Sequence, residues 1–175
     1  MKKIILGLLI FGLTIQFGLT TQSFAQVIDD QVLPEIEVHA VNYKYLSSIN
    51  NAEAPTPVKL LERKVAEFDL KEAEFYRDEY DFYNVSFFIP DGKIVAAYDK
   101  DGNLLRTIEK FVNVTPPKAV MKSVTKRFPG WSLYKDTYLV NYNKDKGVTK
   151  KYYKLILENG KERLRVKTDE NGKFI

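Results

Sequence analysis

Asp99, Asp101 and Asn103 stand at alternate positions, as the oxygen ligands at positions one, three and five of a calcium loop do. Two other requirements fail: Gly102 comes too early, and position twelve falls on Lys110 instead of an acid. A hairpin turn explains the same residues. His39 is the only histidine. A Ser-His-Asp triad can be drawn through it with any serine, but no Gly-x-Ser-x-Gly elbow is present. Phosphoryl or nucleotidyl transfer needs a Gly-rich phosphate loop or paired histidines, and the chain has neither. Glu72 with Glu74, or Asp78 with Asp81, could imitate a hydrolase carboxylate pair, although solvated strand ends account for both. With no cysteine, a thiolate metal site, a disulfide framework and a cysteine nucleophile are excluded. The expectation is therefore no catalytic residue, no metal and no cofactor. A small hydrolase working through His39 or a carboxylate pair is the remote alternative.

The aromatic residues point elsewhere. Tyr134, Tyr138 and Tyr142 recur at even spacing with Asp136, and a carboxylate among them argues against a buried face. An exposed tyrosine face, with Trp131 at its edge, would suit recognition of a protein or peptide, because tyrosine supplies contact area at little entropic cost. The competing reading is that these rings lie under the helices with their hydroxyls at the rim.

The element that carries these rings begins at Thr115. Pro116 and Pro117 fit the first turn of a helix, with Thr115 as N-cap. Val120, Met121, Val124 and Phe128 follow at helical spacing, and Pro129-Gly130 ends the run. From Trp131 the period falls to two. A turn at 143–147, a strand over 152–157, the Asn159-Gly160 hairpin signal, a strand over 163–167 and a turn at Asn171-Gly172 complete a meander. Upstream, Pro57, Leu60-Leu61 and Phe68 match Pro117, Val120-Met121 and Phe128 at an offset of 60 residues. Asp91-Gly92 and Asp101-Gly102 match the later Asn-Gly turns. Strands are expected over 75–79, 82–89, 93–98 and 104–110. Either two sheets or one continuous sheet would satisfy this pattern.

The start of the chain has a different character. Lys2 and Lys3, an apolar run over 4–13 and Ser23-Phe24-Ala25 before Gln26 form the pattern of a secretory signal peptide. An uncleaved membrane anchor is the competing reading, but the apolar run is shorter than the ~20 residues of a spanning helix, so the mature chain is expected to be soluble and exported, periplasmic or extracellular, with no later membrane span. Residues 26–54 form a looser extension in which Ile36, Val38, Ala40 and Asn42 alternate with Glu37, His39, Val41 and Tyr43 as in one extra strand. Charge is unevenly divided. Residues 26–90 hold 13 acids and 6 bases, giving −7, and residues 91–175 hold 10 acids and 19 bases, giving +9. Such a basic half can attract anionic surfaces, or its lysines can guard strand edges. Nucleic acid is not expected, since no recognised binding motif is present.

The Tyr-Asp-Lys-Asp-Gly-Asn-Leu-Leu turn at 98–105, the Pro-Lys-Ala-Val opening at 117–120 and the Arg-Phe-Pro-Gly-Trp stretch at 127–131 resemble the PepSY-like family, also described as beta-lactamase-inhibitor-like. The leader and Leu33-Pro34-Glu35-Ile36-Glu37-Val38 are similar to exported proteins of Bacteroidetes-type bacteria. The resemblance implies an α+β fold of two tandem helix-plus-antiparallel-meander repeats, 55–111 and 115–175, with the helices on one sheet face. It also implies a non-catalytic binding or inhibitory module whose sheet grips an envelope or secreted protein. A structural envelope protein held to anionic surfaces by its basic half is the alternative.

Overall fold

The structure, a computed structural model, describes residues 41–49 and 53–175. The expected leader, His39 and most of the extra strand expected over 36–43 lie outside the described residues. Where that strand would end, Val41 and Asn42 form a turn, and Tyr43–Ile49 is a helix, α1. Tyr45 and Ile49, one helical turn apart, are its buried residues.

Helix α2 (Thr56–Glu67) opens with proline in its first turn and buries Val58, Leu61, Val65 and Ala66, one apolar stripe. Three strands follow: β1 (Phe82–Ile89), β2 (Gly92–Asp99) and β3 (Leu104–Val112). Helix α3 (Lys118–Arg127) comes next and turns Val120 and Val124 inward. Three more strands, β4 (Ser132–Asn143), β5 (Gly147–Asn159) and β6 (Glu162–Thr168), complete the chain. Every strand pairs antiparallel with its sequence neighbour in one six-stranded sheet, β1-β2-β3-β4-β5-β6. The fold is α+β, with a helix before each run of three strands. Residues of all three helices join a single buried cluster against one face of the sheet.

Two local expectations are corrected. No strand forms over 75–79; that stretch is a series of turns fastened by rings, with Phe68 stacked on Phe75, Tyr76 on Tyr83, and the Tyr83 hydroxyl bonded to the backbone of Arg77. Thr115 is not an N-cap. The cap position of α3 is Pro117, with no side-chain cap bond, and Thr115 adopts a left-handed φ of 56°, as does Asn113 at 55°.

The hairpins close through short-range bonding. Asp99 accepts from the N–H groups of Asp101 and Asn103 and from the Asn103 amide, so its carboxylate serves its own turn. Asp169 does the same for Asn171 and Lys173. That last turn packs on α3: a β-carbon on Gly172, whose φ is 82°, would lie 2.6 Å from the Ala119 carbonyl oxygen. Gly172→Ala is accordingly expected to lower the unfolding free energy by about 2–4 kcal/mol, read from urea denaturation. Wild-type stability in that variant would show that the turn and α3 are not in contact.

Candidate binding face

In β4, Asp136, Tyr138, Val140 and Tyr142 point to the same side, as their spacing requires, and that side is the one beneath the helices. Tyr138 is 1% exposed and Tyr142 4% exposed. Tyr138 stacks on Tyr153 at 4.6 Å between ring centres, and Tyr142 meets Tyr45 of α1 edge to face. The exposed tyrosine face is thus corrected: two of its three rings are core. Trp131 is partly buried against the same cluster.

Asp136, whose charge suggested a wet face, is 3% exposed for a specific reason. Its carboxylate accepts from the N–H groups of Val114 and Thr115, in the linker where Asn113 and Thr115 are left-handed. Those donors are orphaned by the linker geometry, and the carboxylate satisfies them. Burial still raises its pKa above the ordinary value.

Tyr134 escapes the core because the β4–β5 register shifts between Leu133 and Lys135. It is 49% exposed, and the Arg163 guanidinium lies 3.8 Å from its ring centre. Of the four aromatic residues expected to meet a partner, it alone sits on the open side.

No described element crosses that open face. The registers assign it Lys93 on β2, Arg106 and Lys110 on β3, Lys135 on β4, Lys150 and Lys154 on β5, and Arg163, Arg165 and Lys167 on β6. All nine are exposed. Only two acids share the face, Glu158, which is paired across the strands with Arg163, and Asp99, which is occupied by its own turn. Between the cations lie the apolar residues Phe82, Phe88, Ile108, Leu139 and Ile156, of which the first three are more than half exposed. At the β4–β6 end an open concavity of about 670 Å³ is lined by four cations, Arg127, Lys154, Arg165 and Lys167, by Thr137, and by six apolar residues, among them Phe128, Leu155 and Val166 of the helix side; no acidic side chain lines it. The signal was present in the sequence: β6 reads Arg-Leu-Arg-Val-Lys, a cation at every second residue. A single strand of this kind is also what a guarded edge looks like; the neighbouring strands' contributions become visible only in register.

A second polar cluster is buried. Glu109 of β3 is fully buried and accepts from the Tyr45 hydroxyl at 2.8 Å and the Thr107 hydroxyl at 2.7 Å. Glu62 of α2, 2% exposed, faces it. Burial raises the Glu109 pKa to about 7, against the bonds from Thr107, Tyr45 and Glu62 and the charge of Lys151. Lys151 in turn donates to the Ile49 carbonyl and pairs with Glu170. The cluster fastens α1 and α2 to the middle of the sheet. The acid pairs Glu72–Glu74 and Asp78–Asp81 lie apart from it, exposed in the loop before β1.

No family model matches the chain, and no curated protein matches it. Among solved structures it is similar to a BLIP-like protein from Bacteroides fragilis, at 15% identity and a TM-score of 0.32, over 55% of this chain and 67% of that one. A likeness of that degree assigns neither a family nor a partner.

Proposed function

We propose that this chain is an exported, non-catalytic binding module that recognises an acidic protein or peptide through the open face of its sheet. The observation that carries this reading is the composition of that face: nine exposed cations, one acid outside its own turn, and exposed Phe and Ile side chains between them. Cations held on adjacent strands repel one another, so an anionic partner relieves that repulsion while desolvating the intervening apolar residues. A sheet backed by a packed core presents these groups at fixed spacing, which favours recognition over diffuse attraction. Export rests on the Lys2-Lys3, apolar and Ser-Phe-Ala pattern at the start of the sequence. Among the described residues no helix is long and apolar enough to cross a membrane. We read the platform as two PepSY-like units, because each half runs helix, then three strands, and carries an Asp-closed turn, after β2 in the first half and after β6 in the second.

The test is crosslinked capture from cell envelope and culture fluid, followed by titration of the purified partner. Lys154→Glu, Arg165→Glu and Lys167→Glu together are expected to weaken binding at least about 100-fold. The same reversals at Lys118, Lys122 and Lys126, exposed on α3, should change it less than about threefold. Equal loss in both variants would sink the open-face assignment. The cation density also favours a second reading, association with anionic envelope surfaces. Retention of phosphatidylglycerol vesicles alone, abolished by salt, would select it.

A further inference from the structure

The two edges of the sheet are built differently. Edge strand β6 carries Glu162, Arg163, Arg165 and Lys167, and its far end is partly covered where Phe174 bridges Thr168 and Ile175 N–H donates to Lys167. Those are the usual devices that prevent one sheet from extending into another. Edge strand β1, Phe-Tyr-Asn-Val-Ser-Phe-Phe-Ile, has none of them: eight residues without a charge, a proline or a bulge in its pairing with β2.

The two-residue connection Pro90-Asp91 makes Ile89 and Gly92 the closing hydrogen-bonded pair of the β1–β2 hairpin. Alternate residues Val85 and Phe87 then bond inward to β2, and Phe82, Asn84, Ser86 and Phe88 turn their N–H and C=O groups outward. No described backbone group bonds to those four. We infer that β1 is a self-pairing edge through which two copies of this chain join antiparallel about a two-fold axis at Val85.

That register is the one the strand can satisfy with itself. Phe82 falls opposite the second copy's Phe88, and Asn84 opposite its Ser86, all four on the open face and all hydrogen-bonded pairs. Tyr83 faces Phe87, and Val85 faces Val85, on the helix side. The two aromatic pairs cover Phe82 and Phe88, which are 68% and 65% exposed in one copy. Charge does not oppose the contact, because β1 has none and six of the nine open-face cations lie on β4–β6, at the two far ends of the combined sheet. The symmetry closes: each copy's single unguarded edge is used, and a guarded β6 edge remains at either end.

Light scattering of the mature chain across a concentration series tests the inference. Twice the monomer mass is expected at high concentration, falling to the monomer mass on dilution. Asn84→Lys with Ser86→Lys places like charges opposite each other twice, on exposed side chains that make no contact with the core, and is expected to hold the chain monomeric with an unchanged melting temperature. In a chain with no other cysteine, Val85→Cys should crosslink copies under mild oxidation, whereas Val95→Cys on β2 should not. Monomer mass at every concentration overturns the inference, as does a dimer that survives the two lysines or fails to crosslink through Val85→Cys. These readouts involve none of the cations reversed in the capture experiment, so the two proposals fail separately.

Discussion

Tyr138→Ala is expected to destabilise the fold by about 3–5 kcal/mol, the usual consequence of emptying a large aromatic site in a core. Tyr138 is 1% exposed, lies parallel to Tyr153 at 4.6 Å and faces Phe111 at 6.3 Å, so truncation leaves three strands facing a void. Neighbouring rings cannot relax into it cheaply, since Phe111 is itself needed to cover Gly92, where a β-carbon would come within 2.4 Å of the ring. Small domains have only about 5–15 kcal/mol of stability in total, so the variant should be partly unfolded near physiological temperature. Tyr138→Phe keeps the stacked ring and should lose less than half as much. Chemical denaturation monitored by near-ultraviolet circular dichroism measures both. If Tyr138→Ala melts like wild type, the ring is not in the core. A binding defect in this variant would report unfolding, which is why the capture experiment reverses open-face cations instead.

Stability should also fall as pH rises from about 4.5 to 7, and Glu109 is the group that makes it do so. Its folded pKa, about 7, lies above the ordinary value of 4.5, so between those limits the folded chain binds the proton more tightly than the unfolded chain. The stabilisation from this group is complete below the ordinary value, declines through that window, and is absent above the folded pKa. The full span corresponds to about 3 kcal/mol. Burial is the main cause, and the neighbours that face the group are Tyr45 on α1, Glu62 on α2, Thr107 on β3 and Lys151 on β5. Glu109→Gln preserves shape and can still accept from both hydroxyls, so it should flatten the dependence and exceed wild-type stability at pH 8. Urea unfolding of both proteins at pH 5 and pH 8 decides the matter. An unchanged slope in the variant would assign the titration to another group. Asp136, also raised by burial, would then be examined by Asp136→Asn.

Much of the secondary structure was legible because its signals are local. The proline-opened helices α2 and α3, the alternation of β4, and the turns at 90–91, 100–102, 160–161 and 170–172 each depend on residues within a few positions of one another. Helix α1 was not legible. Seven residues with no acid in the first turn and no base in the last carry little propensity, and the helix is held by Tyr45 bonding to Glu109, 64 residues away. The strand expected over 75–79 failed for a related reason, since its rings find partners in Phe68 and Tyr83 and leave its backbone unpaired in a sheet.

By itself, then, the sequence determined an α+β chain of antiparallel hairpins, with no cysteine chemistry and a strongly basic second half. Only the tertiary structure decided which face of the sheet the helices cover. Both faces of β4 alternate cleanly, and the deciding group, Asp136, looks like a surface residue until its carboxylate meets the N–H of Val114 from 22 residues upstream. That contact lies on the face where Tyr138 and Tyr142 pack against Tyr153, Phe111 and Tyr45, and the cations fall on the other. Register then collects lysines and arginines from five strands onto one surface, a property no single strand possesses. Periodicity is written within an element; the choice of face and the summation of charge arise from pairings between elements.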